Sequence, residues 1–329
     1  MRDSVIPCFV LALATLGLTA PATAEDVADY PSRPIRVIIA NPPGAGSDVG
    51  GRLVSEVAEK HLGRPLVIEN KAGAGGRIGA AFVARAAPDG YTILYTPKPP
   101  ITIVQHLKKL KLDYNPERDL QPLSIMTWAP AFLIVRKSFP AKTVPEFIAH
   151  AKKNPGKISF GIQGIGSEFH VTLEMLREHA GVKINAIPYT GGSQAIVDLV
   201  AERLDAMFLV PAAITQHLAE GRLRAIATLE SKRVPAYPDV PTMTEVGLPQ
   251  VTGSPWFGFT APAAVPKPII DKLAAAFAKT QQDAALVKKL NSVGYELRVL
   301  GPAESAAVFA KERAEYGKIA AGGRLDKAN

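Results

Sequence analysis

The stretch I-R-V-I-I-A-N-P-P-G-A-G-S-D-V-G-G-R, Ile35–Arg52, decides the fold class: an apolar strand leads through a Pro/Gly loop into a helix start. The same plan recurs at Ile158–Arg177, where I-S-F-G-I-Q-G-I-G-S-E-F-H runs into an apolar helical pattern. Helix N-termini expose unpaired backbone N–H groups and the positive end of the helix dipole, and glycines let a ligand oxygen approach them. The two stretches therefore predict two anion-binding loops that hold one ligand from two sides.

Strand-like and helical patterns alternate along most of the chain, which is typical of an α/β protein. The predicted strands are Ile35–Ala40, Leu66–Glu69, Thr92–Tyr95, Phe132–Arg136, Ile158–Phe160, Ala186–Pro188, Ala206–Leu209 and Ala225–Thr228. The predicted helices are Asp48–Leu62, Arg77–Ala87, Val144–Lys153, Glu168–Ala180, Ser193–Glu202, Ala212–Glu220, Pro268–Thr280, Asp283–Val293 and Pro302–Ala320. A proline-rich segment, 233–268, separates the last three helices from the rest and indicates two lobes, with the C-terminus returning to the first.

Residues 1–24 have the pattern of a secretory signal peptide: a charged start, the apolar stretch Val5–Ala20 and a small-residue cleavage pattern that ends at Ala24. The apolar stretch is short for a membrane span. Cys8, the only cysteine, lies inside this segment, so the mature chain is expected to carry no thiol. Export without disulfides fits a periplasmic protein whose core is large enough to be stable without them.

The formal net charge of +8 is compatible with a preference for anionic ligands, or with a solvated surface that has no partner. Lysines and arginines are scattered along amphipathic helices without interleaved aromatic residues, and export argues against nucleic acid. The Gly-rich loops that begin at Gly44 and Gly73 read G-x-G-x-x-x-G, which differs from the dinucleotide fingerprint, and no Gly-Lys-Ser/Thr follows either of them. We therefore expect no nucleotide cofactor.

Catalytic and metal-binding patterns are missing from the sequence. His170 and Glu174 are one helical turn apart, but the six histidines show no metal-ligand spacing. There is no G-x-S-x-G nucleophile elbow. Ser47-Asp48 and Ser167-Glu168 stand at predicted helix starts, where N-capping explains them; serine hydroxyls that donate to a ligand carboxylate are the other interpretation. We expect Asp48 to orient its loop, because an acid beside an anion site repels the anion.

Eight phrases follow one another along the chain: Y-P-S-R-P-I-R-V-I-I (Tyr30–Ile39), N-P-P-G-A-G-S-D (Asn41–Asp48), V-I-E-N-K-A-G-A-G-G (Val67–Gly76), P-D-G-Y-T-I-L (Pro88–Leu94), G-I-G-S-E-F-H (Gly164–His170), I-P-Y-T-G (Ile187–Gly191), Y-P-D-V-P-T (Tyr237–Thr242) and W-F-G-F-T-A-P (Trp256–Pro262). Together they resemble the substrate-binding receptors of tripartite tricarboxylate transporters, the Bug family of periplasmic proteins. The resemblance covers the whole mature chain in order.

This resemblance implies a two-lobed periplasmic binding protein of the Venus-flytrap, type II-like class, without catalytic activity, in which each lobe is a mostly parallel sheet flanked by helices. Lobe 1 would comprise residues 25–128 and 253–329, and lobe 2 residues 129–252. In the family, a loop and helix N-terminus from each lobe hold one carboxylate of the ligand. Carried over, the ligand-binding residues are Pro43, Gly44, Ala45, Gly46, Ser47, Asp48, Pro97, Lys98, Gln163, Gly164, Gly166, Ser167, His170, Tyr189, Gly191, Leu209 and Val210.

Two departures from the family pattern bear on the ligand. Where many relatives carry an acid after Met-Phe, this chain has Leu209 and Val210, so a ligand with an ammonium group becomes less favoured. Lys98, in the turn P-K-P-P, is either the partner of a second carboxylate or an exposed loop lysine. The expected ligand is a relatively apolar mono- or dicarboxylate, aromatic or aliphatic. Trp256 is expected in the core, and Trp128 in the core or the pocket wall.

The expected partners are a small carboxylate and the membrane subunits of a tripartite transporter, or a sensor kinase, with the receptor acting as a monomer. An exported α/β hydrolase that uses Ser47 or Ser167 with His170 is the alternative from another class. A receptor that acts only in signalling is a third reading of the same pocket.

Overall fold

The structure, a computed structural model, describes residues 28–189 and 192–329. The predicted signal peptide, its cleavage point near Ala24, and Gly191 lie outside these residues. The strands are β1 Ile35–Ile39, β2 Leu66–Asn70, β3 Thr92–Pro97, β4 Leu120–Trp128, β5 Phe132–Arg136, β6 Ser159–Ile162, β7 Asn185–Pro188, β8 Ala206–Leu209, β9 Leu223–Thr228, β10 Trp256–Pro262 and β11 Glu296–Leu300. The α-helices are α1 Gly46–Leu62, α2 Arg77–Ala84, α3 Val144–Lys153, α4 Glu168–Ala180, α5 Gly192–Val200, α6 Pro211–Ala219, α7 Lys267–Lys279, α8 Ala284–Ser292 and α9 Pro302–Ala320.

Within the described residues, the strands form a six-stranded sheet in the order β11-β4-β10-β3-β1-β2 and a five-stranded sheet in the order β7-β6-β8-β5-β9. Helices cover both sheets, and each sheet has its own cluster of buried apolar side chains. The predicted α/β, two-lobed class is confirmed, with one sheet in each lobe.

Both sheets are mixed, and the expectation of mostly parallel sheets is wrong. The strands β2 and β3 run parallel to β1, and β7 and β8 run parallel to β6. By contrast, β10 is antiparallel to β3 and β4, and β5 is antiparallel to β8 and β9. The reason is connectivity: the chain leaves the first sheet directly through β4 into β5 and returns through β10, so the strands at the crossings run against their neighbours.

The two crossings lie between Trp128 and Phe132 and between Thr228 and Trp256. The boundaries predicted for the two lobes fall inside these crossings, and we keep them as our proposal with one exception. The C-terminal residue Asn329 exchanges side-chain hydrogen bonds of 2.9 and 3.1 Å with the backbone of Ala186 in β7, so the tail reaches the second sheet.

The two tryptophans occupy different positions relative to the crossings. Trp256, at the start of β10, is fully buried and stacks on Phe309 of α9, as expected for a core residue. Trp128, at the end of β4, is half-buried, and the Arg298 guanidinium lies 3.8 Å from its ring centroid. It lines a small crevice that residues of both lobes form, with Leu229 and Glu230 on the side of the second sheet.

The strands β4, β10 and β11 are absent from the sequence prediction. All seven residues of β10 are buried, so this strand shows no alternation, and it lies in the proline-rich segment 233–268, for which no strand was predicted. Pro122 interrupts the pattern of β4; the structure tolerates it beside a register shift between Phe259 and Thr260 of β10. None of the helices in the described parts of the chain is both long and apolar enough to cross a membrane.

Candidate functional site

A cleft of ≈ 650 Å³ lies between the two sheets, and both predicted loops line it. From lobe 1 the lining includes Asn41, Ser47, Ala74, Gly75, Arg77, Pro97, Pro99, Val104, Leu107, Leu110, Phe257 and Tyr295. From lobe 2 it includes Gln163, Gly164, Ile165, Gly166, Ser167, Glu168 and Phe169. The structure thus brings Ser47, Pro97 and the Gln163–Ser167 loop together, as the sequence predicts.

The first loop connects β1 to α1. The N-cap residue of α1 is Ala45, which has no side chain to cap the helix, so the first amides of α1 lack a side-chain acceptor. Ser47 is the second residue of the helix and not its cap; it is 5% exposed and lines the cleft. A carboxylate oxygen in the cleft can therefore accept from free helix amides and from the Ser47 hydroxyl.

Asp48 holds this loop in shape through hydrogen bonds of its carboxylate. Its carboxylate accepts hydrogen bonds from the backbone N–H of Gly44 at 2.9 Å, Arg52 Nε at 3.0 Å and Asn70 Nδ2 at 2.7 Å. Burial opposes ionisation, but the hydrogen bonds from Arg52, Asn70 and Gly44 outweigh it and hold the pKa of Asp48 below 3.8. With its oxygens engaged inside the loop, Asp48 orients the loop as expected, and the structure gives it no direct path to the ligand.

Replacing Asp48 with asparagine should lower the free energy of unfolding by about 1.5–3 kcal/mol at pH 7, the range for hydrogen bonds to a charged group. Because the folded pKa is depressed, this stabilisation is present above pH 3.8 and is lost as the pH falls through the folded pKa. Urea unfolding at pH 7 and pH 3 checks both parts, with Asp271→Asn on the exposed face of α7 as the control. An equal difference at both pH values would contradict the assignment.

The second loop connects β6 to α4, and its own residues fix its shape. Ser167 is the N-cap of α4, and its Oγ accepts a hydrogen bond from the His170 backbone N–H at 3.2 Å. The imidazole of His170 is fully buried, and its Nδ1 accepts from the Gly166 N–H at 3.0 Å. Burial, with a contribution from Arg177, lowers the pKa of His170 to about 4, so the ring is neutral and acts as an acceptor.

This geometry gives His170 a structural role. Its ring nitrogen Nδ1 is used by Gly166, and Ser167 is paired with the backbone of His170 and not with its imidazole. The serine–histidine pair that the hydrolase alternative requires is therefore not formed. In residues 28–189 and 192–329, no three His, Cys, Asp or Glu side chains are grouped so that they could hold a metal ion.

Gly166 lies close to Leu107 of lobe 1 at the cleft. Its φ of +75° lies in the left-handed region, and a Cβ added there would lie 2.6 Å from Leu107 Cδ1 of lobe 1. Only glycine satisfies both the backbone conformation and the close approach. Gly164 has a φ of +101° but no atom within 4 Å of an added Cβ.

Lys98 does not point a free charge into the cleft. Its side chain is 1% exposed, and Nζ donates to the Ser254 carbonyl and the Tyr316 hydroxyl, both at 3.2 Å. Glu312 Oε1 lies 3.6 Å from Nζ, and its two oxygens also accept from Trp256 Nε1 at 3.0 Å and Thr102 Oγ1 at 2.8 Å. Both earlier interpretations, a partner for a second carboxylate and an exposed loop lysine, are corrected: Lys98 is a buried structural cation.

The other predicted residues lie at the margin of the cleft or away from it. Pro43, Gly44 and Ala45 form the outer side of the first loop, and Gly46 is the first residue of α1. Tyr189 is half-buried and donates its hydroxyl to Asp198 at 2.7 Å. Leu209 is buried in the core, Val210 packs between the lobes, and the residues after them line a separate crevice of ≈ 780 Å³.

Several lining residues are missing from the sequence prediction. Arg77 is a cation that lines the cleft. It is the first residue of α2, directly after the G-A-G-G loop, and its Nε donates to the Ala74 carbonyl at 2.8 Å. The side-chain oxygen of Asn41 is buried and has no partner among the described residues. Phe257 and Tyr295 pack edge to face with ring centroids 5.4 Å apart and form an aromatic wall. The position of Arg77 after a Gly-rich loop was the one local signal that could have found it.

Comparison with known proteins gives consistent results. The model of the tripartite tricarboxylate transporter family receptor matches residues 50–321. Protein BugT of Bordetella pertussis is 34% identical over 300 residues, which cover 91% of each chain. A solved TctC solute-binding protein from Polaromonas has a TM-score of 0.78 and 29% identity, covering 89% of this chain and 99% of that one. MatC from Rhodopseudomonas palustris, solved with bound malate, has a TM-score of 0.72 and 30% identity, covering 88% and 100% of the two chains.

Proposed function

The chain belongs to the tripartite tricarboxylate transporter receptor family, whose members are periplasmic solute-binding receptors and not enzymes. We therefore propose that it captures a small organic carboxylate between its lobes and delivers it to the membrane subunits of such a transporter. One observation carries the proposal: the loops Asn41–Ala45 and Gln163–Ser167, from different sheets, each lead into a helix N-terminus at the same cleft.

The polar groups of the cleft match a carboxylate. A buried carboxylate needs a donor for each of its lone pairs, and charge-assisted hydrogen bonds to it are the strong ones. The first amides of α1 and α4, the Ser47 hydroxyl and the Gln163 amide supply such donors, and Arg77 adds a positive charge on the lobe 1 side. The arrangement holds one carboxylate group from both lobes.

The remaining wall suits a carbon skeleton. Phe257, Tyr295 and Leu107 from lobe 1 and Phe169 from lobe 2 give the cleft an apolar lining. This supports a relatively apolar mono- or dicarboxylate, aliphatic or aromatic. Among the similar solved proteins, MatC holds malate, and a second Rhodopseudomonas palustris protein, with a TM-score of 0.75 and 28% identity, was solved with adipate.

We propose that binding closes the two lobes, because a ligand that contacts both loops favours the state in which they are close. We also propose that the signal peptide is cleaved near Ala24 and that the receptor is released into the periplasm, where it acts as a monomer. A sensor kinase in place of the transporter would use the same pocket. Membrane subunits captured together with the loaded receptor would favour transport.

A thermal-shift screen of the mature chain against mono- and dicarboxylates tests the function, because a bound ligand raises the unfolding temperature. For the best ligand, Ser47→Ala should weaken binding by about 10-fold or more, since a hydrogen bond to a charged group is worth roughly 1.5–3 kcal/mol. Ser55→Ala is the matched control: it is equally buried on the same helix but lies outside the cleft lining. No shift with any carboxylate, or an equal loss in both variants, would contradict the proposal.

A further inference from the structure

The proposed function does not explain why the side chain of Glu168, a carboxyl group, lies at the cleft. It is the first residue of α4, directly after the N-cap Ser167, and it lines the cleft. Among the described residues, no side chain or backbone group donates a hydrogen bond to its carboxyl and no cation lies within 4.0 Å of it. An acid without a partner therefore stands beside the loop that would hold a carboxylate.

The charged groups around Glu168 already have hydrogen-bond or ion-pair partners of their own. Lys98, whose positive charge acts on Glu168, donates to Ser254 and Tyr316 and lies 3.6 Å from Glu312. Glu312 on α9 repels Glu168, and the charge of Glu168 in turn acts on the hydroxyls of Tyr295 and Tyr316. Glu312 accepts hydrogen bonds from Trp256 and Thr102, whereas no hydrogen-bond donor reaches the carboxyl group of Glu168 among the described residues.

An unpartnered carboxylate becomes costly when the cleft closes. Closure removes the water that solvates it, and a buried charge without a donor is strongly disfavoured. Burial already raises the pKa of Glu168 above its ordinary value, against the opposing effect of Lys98. A bound ligand can relieve this only by offering a donor to the carboxylate or by binding while Glu168 is protonated.

We propose that Glu168 makes the cleft select carboxylates that carry a hydroxyl or ammonium donor near the bound carboxylate over plain carboxylates of the same skeleton. The inference rests on the proposed carboxylate site and adds the ligand class to it. It also revises the expectation drawn from Leu209: the acid that is missing after β8 is supplied by the start of α4, so the absence of an acid at Leu209 does not disfavour an ammonium group.

Isothermal titration with two matched sets tests this inference: succinate, malate and aspartate, and propionate, lactate and alanine. In the wild type, we expect a substituted member of at least one set to bind about 10-fold more tightly than the plain member, a preference worth one well-made polar contact. Glu168→Met removes the acceptor at similar side-chain length, and the preference should fall to about 3-fold or less. Glu168→Gln should keep the hydroxyl preference in part and lose the ammonium preference.

The pH dependence separates this role from a general effect on the cleft. Plain carboxylates should bind the wild type less tightly as the pH rises through the raised pKa of Glu168, because they require protonated Glu168, while their binding to Glu168→Met should not show this trend. Arg77→Gln is the control: it should weaken all members of a set and leave their ratio unchanged. Thermal melts of each variant without ligand check that it is folded.

The outcomes distinguish the two proposals. If plain and substituted members bind the wild type equally, or if Glu168→Met keeps the full preference, the role of Glu168 is wrong while the carboxylate function stands. If no member of either set and no carboxylate of the thermal screen binds, the proposed function itself fails.

Discussion

Replacing Lys98 with methionine should lower the free energy of unfolding by about 3–5 kcal/mol, the range for removing one partner of a buried ion pair. The change leaves the largely buried Glu312 carboxylate without its cation and the Ser254 carbonyl and Tyr316 hydroxyl without a donor. This network joins β3, β10 and α9, so its loss affects the whole of lobe 1 and not only the cleft. Urea unfolding followed by circular dichroism measures the effect.

The double variant Lys98→Met with Glu312→Gln should recover part of the loss, because the uncompensated charge is removed together with its partner. Lys108→Met on the exposed surface controls for the substitution itself and should change stability by less than about 0.5 kcal/mol. A Lys98→Met protein as stable as the wild type but unable to bind dicarboxylates would instead restore the interpretation of Lys98 as a ligand contact.

Gly166→Ala should weaken ligand binding by 10-fold or more, which corresponds to roughly 1.4 kcal/mol or more. The added Cβ meets two obstacles, a left-handed backbone with φ +75° and a contact 2.6 Å from Leu107 Cδ1 of the other lobe. The Leu107 side chain must turn aside, the loop must shift or the lobes must stay further apart, and each of these changes alters the lining of the cleft next to the α4 amides. Isothermal titration with the best carboxylate of the screen measures the loss.

Two further variants separate the causes. Gly164→Ala introduces the strain of a positive φ, worth roughly 1–2 kcal/mol, without a collision, because nothing lies within 4 Å of its Cβ. Gly166→Ala combined with Leu107→Ala removes the collision and keeps the strain. We expect the double variant to bind about as well as Gly164→Ala; if Leu107→Ala brings no recovery, the contact between the lobes is not what limits binding.

Local patterns predicted most of the elements. The helices Val144–Lys153, Glu168–Ala180 and Pro302–Ala320 and the strands Phe132–Arg136 and Ala206–Leu209 have the predicted bounds. Each of them has a clear apolar period and local signals at its ends. The central strand β10 was beyond this approach, because a strand buried on both faces has no period and its flanking prolines resemble an irregular crossing.

The two loops of the cleft were predictable for the same local reason: strand, glycines and helix start follow one another in the sequence. The role of Lys98 was not, because its partner Tyr316 lies 218 residues further along the chain. Tyr295 reaches the cleft only because β11 pairs with β4 at the edge of the first sheet. Glu168 was identified as a helix-start residue, but its lack of a partner depends on packing against α9 that no local pattern encodes.

The placement of the two tryptophans gives the protein an internal optical reporter. Trp256 is sealed in lobe 1 against Phe309, so its emission depends little on the distance between the lobes. Trp128 stands at the crossing, stacked under Arg298 in a crevice that both lobes line, where a change in their separation alters the solvent and charge around the indole. Intrinsic fluorescence can therefore follow ligand capture in real time, without a dye and without altering the chain.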